Sequence, residues 1–217
     1  MSKANSKMKN RIIEIFEDEQ LVEKIRRKLP YLFQVAELES SRAGKIGMEV
    51  GTLRERIIIA LLIHKFGEDN VNTDIPITKA EVDVELSGTP ISIKTFTGKY
   101  FGGIKLIWTV DAKKAMEFRK NYFPNCGMIL VRINWNGIGD FIFIPLEIQK
   151  KIFDEMGRRK YIKLPKVGTN PRGVEITKKV MNALVADNAT RKIEINWKKT
   201  RIDYKPYGRW VDLWREA

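Results

Sequence analysis

A chain of 217 residues, 43% hydrophobic and 31% charged, has material for one domain with a sizeable buried core. No run approaches the roughly 18 to 20 apolar residues of a membrane span, and single copies of cysteine (Cys126) and histidine (His64) exclude a disulfide framework, a Cys/His zinc site and chemistry built on paired histidines. The formal charge of +13 is one-sided: residues 1–100 hold 16 Lys and Arg against 15 Asp and Glu, whereas residues 101–217 hold 24 against 12. Such a field suits a polyanion, with a solvated charged face as the ordinary alternative.

Residues 8–28 predict an amphipathic helix with Ile12, Ile13, Phe16 and Ile25 on one face and Pro30 ending it, and a second helical stretch covers 31–41. The basic start MSKANSKMKNR runs into Glu14, Glu17, Asp18 and Glu19, a pattern foreign to secretory signals, so a cytoplasmic location is expected. Segment 41–51, SRAGKIGMEVG, sets Ile46 and Met48 among three glycines. Residues 52–66 read as a strongly apolar helix stopped by Gly67, with His64 in a structural role near its end.

A hairpin is expected at 81–95, then a strand at 104–110 and a helix at 111–122 with Asp111 as its N-cap. Strands at 128–135 and 140–145 are joined by a turn at 136–139, and a helix follows at 146–156. A loop rich in Pro, Gly and basic residues (163–176) leads into a helix near 174–186, a strand at 191–197 and an aromatic tail at 207–217. In that tail Trp210, Leu213 and Trp214 have the spacing of a helical stripe, used for core packing or for a subunit contact. This order of elements predicts a single α/β (α+β) domain over 1–217, a mixed central sheet flanked by helices.

The stretch EVDVELSGTPISIKT (81–95) carries the chemistry. Apolar side chains fall on even positions and acids on odd ones in 81–86, and Ile91-Ser92-Ile93-Lys94 repeats the alternation after a turn composition at 87–90. Asp83, Ser92 and Lys94 then share one face. Carboxylate oxygens for a hard divalent cation beside an ammonium are the inventory for phosphate chemistry, although an acid opposite a lysine is also an ordinary cross-strand pair.

A helix with an internal acid, then Asp83, eight intervening residues and Ser92-x-Lys94, followed by strand and helix, resembles the PD-(D/E)XK nuclease superfamily over about residues 45–135. Asp83 and Lys94 match the first and last motif positions, whereas Ser92 stands where the superfamily usually has Asp or Glu. Glu55, in LRERIIIALL, resembles the helix glutamate of that metal site. With AELESSRAGKIGMEVGTLRE (36–55) and TNPRGVEI (169–176), the chain is similar to the ThaI family of type II restriction endonucleases, which cut double-stranded DNA at CGCG and leave blunt ends.

The resemblance implies N-terminal helices over 1–44, a catalytic core over 45–135 and a basic DNA-binding portion over 136–217. It implies one or two Mg²⁺ per site, held by Asp83 and Glu55, with Glu85 as a further ligand. Glu81 shares the face of Asp83 and Glu85, and Glu49 and Asp111 are other acids able to replace the one missing at 92. Lys94 would orient the attacking water, and Ser92 would be a weak oxygen ligand or a hydrogen bond to metal-bound water. Asn170 and Arg172 suit either guanine edges or phosphates, and Arg42, Lys45 and Lys99 suit DNA contacts. Met48 suits an apolar wedge between base steps or a place in the core. A palindromic site implies a homodimer, and a restriction role implies a companion DNA methyltransferase. A junction resolvase-like nuclease and a non-catalytic nucleic-acid-binding protein are the competing readings.

Overall fold

Gly127–Ile133 is apolar at almost every position because it is buried on both faces of a sheet, and the rest of the molecule is arranged around it. The computed structural model describes residues 11–42, 45–47, 49–76, 78–79, 81–165 and 173–216, of Arg42 only the backbone. The helices are α1 (Glu14–Glu17), α2 (Glu19–Glu39), α3 (Val50–Phe66), α4 (Ala112–Asn121), α5 (Leu146–Met156), α6 (Arg158–Tyr161), α7 (Lys178–Ala186) and α8 (Gly208–Arg215). The strands are β1 (Ser41–Arg42), β2 (Lys45–Ile46), β3 (Val71–Asn72), β4 (Val84–Leu86), β5 (Thr89–Thr97), β6 (Ile104–Ile107), β7 (Gly127–Ile133), β8 (Gly137–Ile144), β9 (Ile162–Lys163), β10 (Val174–Ile176) and β11 (Arg191–Trp197).

The main sheet has the order β11-β8-β7-β5-β4-β3, with β5 and β7 parallel and every other pair antiparallel. Alternation along the strands sorts side chains to two cores. Ile91, Ile93, Ile129, Val131, Phe141 and Ile193 face α2 and α3, while Met128, Leu130, Ile142 and Ile144 face α5 and α7. Strand β11 shows the one-sided pattern of an edge strand, with Ile193, Ile195 and Trp197 buried between exposed Lys192, Glu194 and Asn196. A second, three-stranded sheet, β6-β10-β9, stands apart from the first.

Several boundaries differ from the sequence expectations. One helix runs unbroken through Pro30, and the break lies at Asp18, whose carboxylate accepts the Leu21 N–H at 3.0 Å as an N-cap. Leu29, Pro30 and Phe33 are all buried, and that packing offsets the backbone bond an interior proline removes, a loss of about 3 kcal/mol. The hairpin turn is only Ser87-Gly88, both at positive φ (48° and 77°), so Thr89 and Pro90 belong to β5, and residues 81–83 precede β4. Residues 174–176 form β10 rather than a helix start, and Thr177 caps α7. Strand β6 stops at Ile107 and pairs with β10, outside the main sheet. Asp111 caps α4 as expected, accepting from Lys113 and Lys114 at 2.7 and 3.2 Å. Gly67 ends α3 as expected. Among the described residues, no helix is long and apolar enough to cross a membrane.

Candidate active site

Strand β4 pairs with only the first residues of β5, Val84 with Ile91 and Leu86 with Thr89. The chain before it makes one more contact, Asp83 N–H donating to the Ile91 carbonyl at 3.0 Å, and then leaves the sheet. From Ser92 onward, among the described residues, that edge of β5 has no strand partner, and the Asp83 carboxylate takes the position. Its Oδ2 accepts from Ile93 N–H at 2.5 Å, Lys94 Nζ at 3.1 Å and Ser92 Oγ at 3.2 Å. Acid and lysine are thus fixed by the geometry of a strand that peels away. Their side chains are 17% and 19% exposed, reachable from solvent yet held.

Glu55 projects from the second turn of α3 toward this pair. Its carboxyl is pushed above the usual range, first by burial and then by the Asp83 charge, with Lys94 opposing. Glu81, 9% exposed, is pushed up to about 7 by burial and by Asp83, against the pull of Lys94. A cleft of about 670 Å³ opens beside them, bordered by Gly51, Thr52 and Glu55 of α3, residues 93–96 of β5, residues 103–108 and Glu175 of β10.

Asp83, Lys94 and Glu55 are therefore brought together. Ser92 joins them in another role: it is 2% exposed, and its hydroxyl donates to Asp83, which makes it a support for the carboxylate rather than a group that meets substrate. Glu85 lies elsewhere. Its two oxygens are engaged by Lys79 Nζ at 2.7 Å and Asn72 Nδ2 at 3.2 Å, and those bonds, Lys79 first, hold its pKa below the usual value. Glu49 borders a different cleft with Glu39 and Arg56, and Asp111 is occupied as a cap. Glu81 is the acid of the hairpin that shares the field of Asp83 and Lys94.

Lys45 is exposed on β2, where it pairs with Arg42. Lys99 is exposed beyond β5, its carbonyl held by Arg132 Nη1 at 2.6 Å. Met48, Asn170, Arg172 and the side chain of Arg42 lie outside the described residues. The sequence reading missed the far wall of the cleft, Lys105, Trp108 and Glu175. Its only signal was the alternation of 104–107, which does not reveal that β6 pairs with β10.

Among the described residues no three His, Cys, Asp or Glu side chains form a ready-made cation cage. A Mg²⁺ ion keeps several waters and needs only one or two protein carboxylates beside phosphate oxygens. The three bonds to Asp83 fall on Oδ2, and among the described residues none falls on Oδ1, which leaves that oxygen and the Glu55 carboxylate as donors.

Comparison with known proteins gives the same direction. A family model described as restriction endonuclease ThaI matches residues 15–216. A solved structure titled "Restriction endonuclease in complex with substrate DNA" is 57% identical, covers 96% of this chain and 100% of its own, and superposes with a TM-score of 0.90. No curated protein sequence matches.

Proposed function

Because the chain belongs to the ThaI restriction endonuclease family, and so is a type II site-specific deoxyribonuclease, we propose that it hydrolyses double-stranded DNA at a short palindromic site, CGCG cut to blunt ends, with Mg²⁺. The observation that carries the reading is the 3.1 Å contact of Lys94 Nζ with Asp83 Oδ2, beside a cleft that Lys94 and Glu55 both border.

In this reading Asp83, through Oδ1, and Glu55 hold the cation, directly or through water. Mg²⁺ bound there supplies an acidified water and neutralises charge on the leaving 3′ oxygen. Lys94 orients the attacking water and steadies the phosphate from the side opposite its bond to Asp83. Ser92 and the Ile93 N–H keep Asp83 in one rotamer by donating to its other oxygen. The raised proton affinity of Glu55 makes it neutral more often in the absence of a cation, which lowers the repulsion between two neighbouring carboxylates.

A two-fold palindrome is read economically by two copies of the chain. Helix α8 offers a contact surface: Trp210, Leu213 and Trp214 are 52%, 51% and 90% exposed, so its stripe is not core packing. A companion methyltransferase would protect the host's own sites.

The test is cleavage of a plasmid of known sequence with and without Mg²⁺, by the natural protein and by Asp83→Ala and Lys94→Ala. Discrete Mg²⁺-dependent fragments ending at CGCG are expected, with both variants inactive yet still binding a CGCG duplex in Ca²⁺. Fragments from another site would overturn the CGCG assignment, and full activity in either variant would overturn the site.

A further inference from the structure

The cleft has two walls of different character. The α3–β5 wall carries Glu55 and Lys94. The opposite wall is β6, an edge strand of the small sheet that carries Lys105, with Trp108 one residue past its end. Trp108 is 61% exposed although it borders a cleft, and Lys105 Nζ sits 3.7 Å from its ring centroid. An indole with an ammonium on its face gives the cleft a flat apolar surface next to a positive charge.

This wall lies close against β10. Gly173 has φ +112°, and a Cβ there would run into the Ile107 carbonyl and crowd the Trp108 backbone. A Cβ on Gly103 would come within 2.8 Å of Glu175 Oε2 and 3.0 Å of the Ile176 carbonyl. The two strands therefore approach through glycine at both ends of β6, and Trp108 is the residue that directly follows the strand. The same pairing recurs earlier on this excursion, where Lys99 Nζ lies 5.5 Å from the ring of Tyr100, itself 70% exposed.

We propose that Trp108 and Lys105 form a second grip on the DNA, across the cleft from the catalytic pair. Lys105 neutralises a phosphate next to the scissile one, and the Trp108 ring packs against the sugar–phosphate strand between them. The inference rests on the nuclease reading, because the cleft is shared with Glu55 and Lys94. DNA is the occupant that the catalytic pair and the wider field favour: the cleft lining itself sets Lys94 and Lys105 against Glu55 and Glu175, but residues 101–217 carry 24 basic residues against 12 acidic ones. Glu175, the acid on this wall, has Lys163 Nζ at 3.8 Å. Both groups contact backbone rather than base edges, so they set how tightly and in what register the duplex sits, not which sequence is chosen.

The experiment compares the natural protein with Trp108→Ala, Trp108→Phe and Lys105→Ala, using a CGCG duplex and a scrambled duplex in Ca²⁺, followed by single-turnover cleavage in Mg²⁺. Trp108→Ala is expected to weaken binding to both duplexes by about tenfold through the apolar surface it no longer buries, with Trp108→Phe recovering most of it. Lys105→Ala is expected to reduce the slope of log affinity against log salt by about one. Single-turnover cleavage at low DNA should fall in step with the lost affinity and recover as the DNA concentration is raised, as befits groups that bind rather than react. Unchanged affinity and salt slope in both alanine variants, with the natural protein cutting normally, overturns this inference alone. A natural protein that neither binds nor cuts the duplex overturns the nuclease reading with it. Sedimentation without DNA covers the remaining occupant: loss of self-association in Trp108→Ala at unchanged affinity per assembled protein would make this face a contact between copies and refute the grip.

Discussion

Glu81→Gln isolates the effect of burying an acid beside Asp83 and Lys94. The Glu81 carboxyl rises from an ordinary 4.5 to about 7, chiefly through burial, so the folded protein keeps a proton there that the unfolded chain has already lost. Folded-state binding exceeds unfolded-state binding between about pH 4.5 and 7, and stability from this group therefore falls as pH rises through that window. At about 1.4 kcal/mol per tenfold of proton affinity, the loss is about 3 kcal/mol by pH 8 and about 1 kcal/mol at pH 5. Glutamine keeps the shape and cannot ionise. Urea unfolding in EDTA should find Glu81→Gln more stable than the natural protein by about 3 kcal/mol at pH 8 and by only about 1 kcal/mol at pH 5. Lys94→Ala should widen the pH window over which the natural side chain loses stability, because the Lys94 charge opposes the rise. A Glu81→Gln effect equal at both pH values would refute the reasoning.

The buried pair of Glu37 and Arg54, 2.5 Å apart and 5% and 6% exposed at the side chain, anchors α3 to α2 one residue before Glu55. Glu37→Gln leaves Arg54 without its counter-charge and should lower stability by about 3 to 5 kcal/mol in chemical unfolding. It should also weaken Mg²⁺ binding measured by calorimetry, because the helix that carries Glu55 loses its anchor. Gly173→Ala, at φ +112° against the Ile107 carbonyl, should cost about 1 to 3 kcal/mol in thermal unfolding and weaken DNA binding with little change in the rate of bound substrate. Met48→Ala should weaken CGCG binding more than scrambled-duplex binding if Met48 wedges between base steps, and equal losses would place it in the core instead.

What the sequence disclosed and what it hid divide along the range of the interactions. Helix α3 with its glycine stop, the cap at Asp111 and the alternation of β11 follow from residues within one turn or strand, and they stand where the periodicity put them. Asp83 and Lys94 meet as the hairpin pattern implied, but for a different reason: Asp83 is past the end of β4 and substitutes for a missing strand. That departure depends on where residues 81–83 go, which alternation cannot encode. Pro30 read as a stop because its local penalty is visible and the burial on either side that outweighs it is not. Glu85 and Glu81 are equivalent by parity, and only the neighbours Lys79 and Asn72, supplied by the connector and β3, remove the first from the site.

Ser92 stands where the nuclease superfamily that the sequence resembles usually has an acid, and the surroundings of that position favour a hydroxyl. Position 92 is 2% exposed, and its side-chain oxygen lies 3.2 Å from Asp83 Oδ2. A hydroxyl donates there, whereas an ionised carboxylate only accepts, so Ser92→Asp would set two acids against each other beside Glu55 and Glu81, both already driven toward the neutral form. One of them must hold a proton or draw in a cation. In EDTA, Ser92→Asp should therefore be less stable than the natural protein at pH 8 by about 2 to 4 kcal/mol and nearly equal to it at pH 5. Mg²⁺ should restore the loss and bind more tightly than to the natural protein in calorimetry, with more protons released per ion. A variant as stable as the natural protein at pH 8 in EDTA would mean that the pocket tolerates the added charge unaided, and the serine would then have no electrostatic reason to be there.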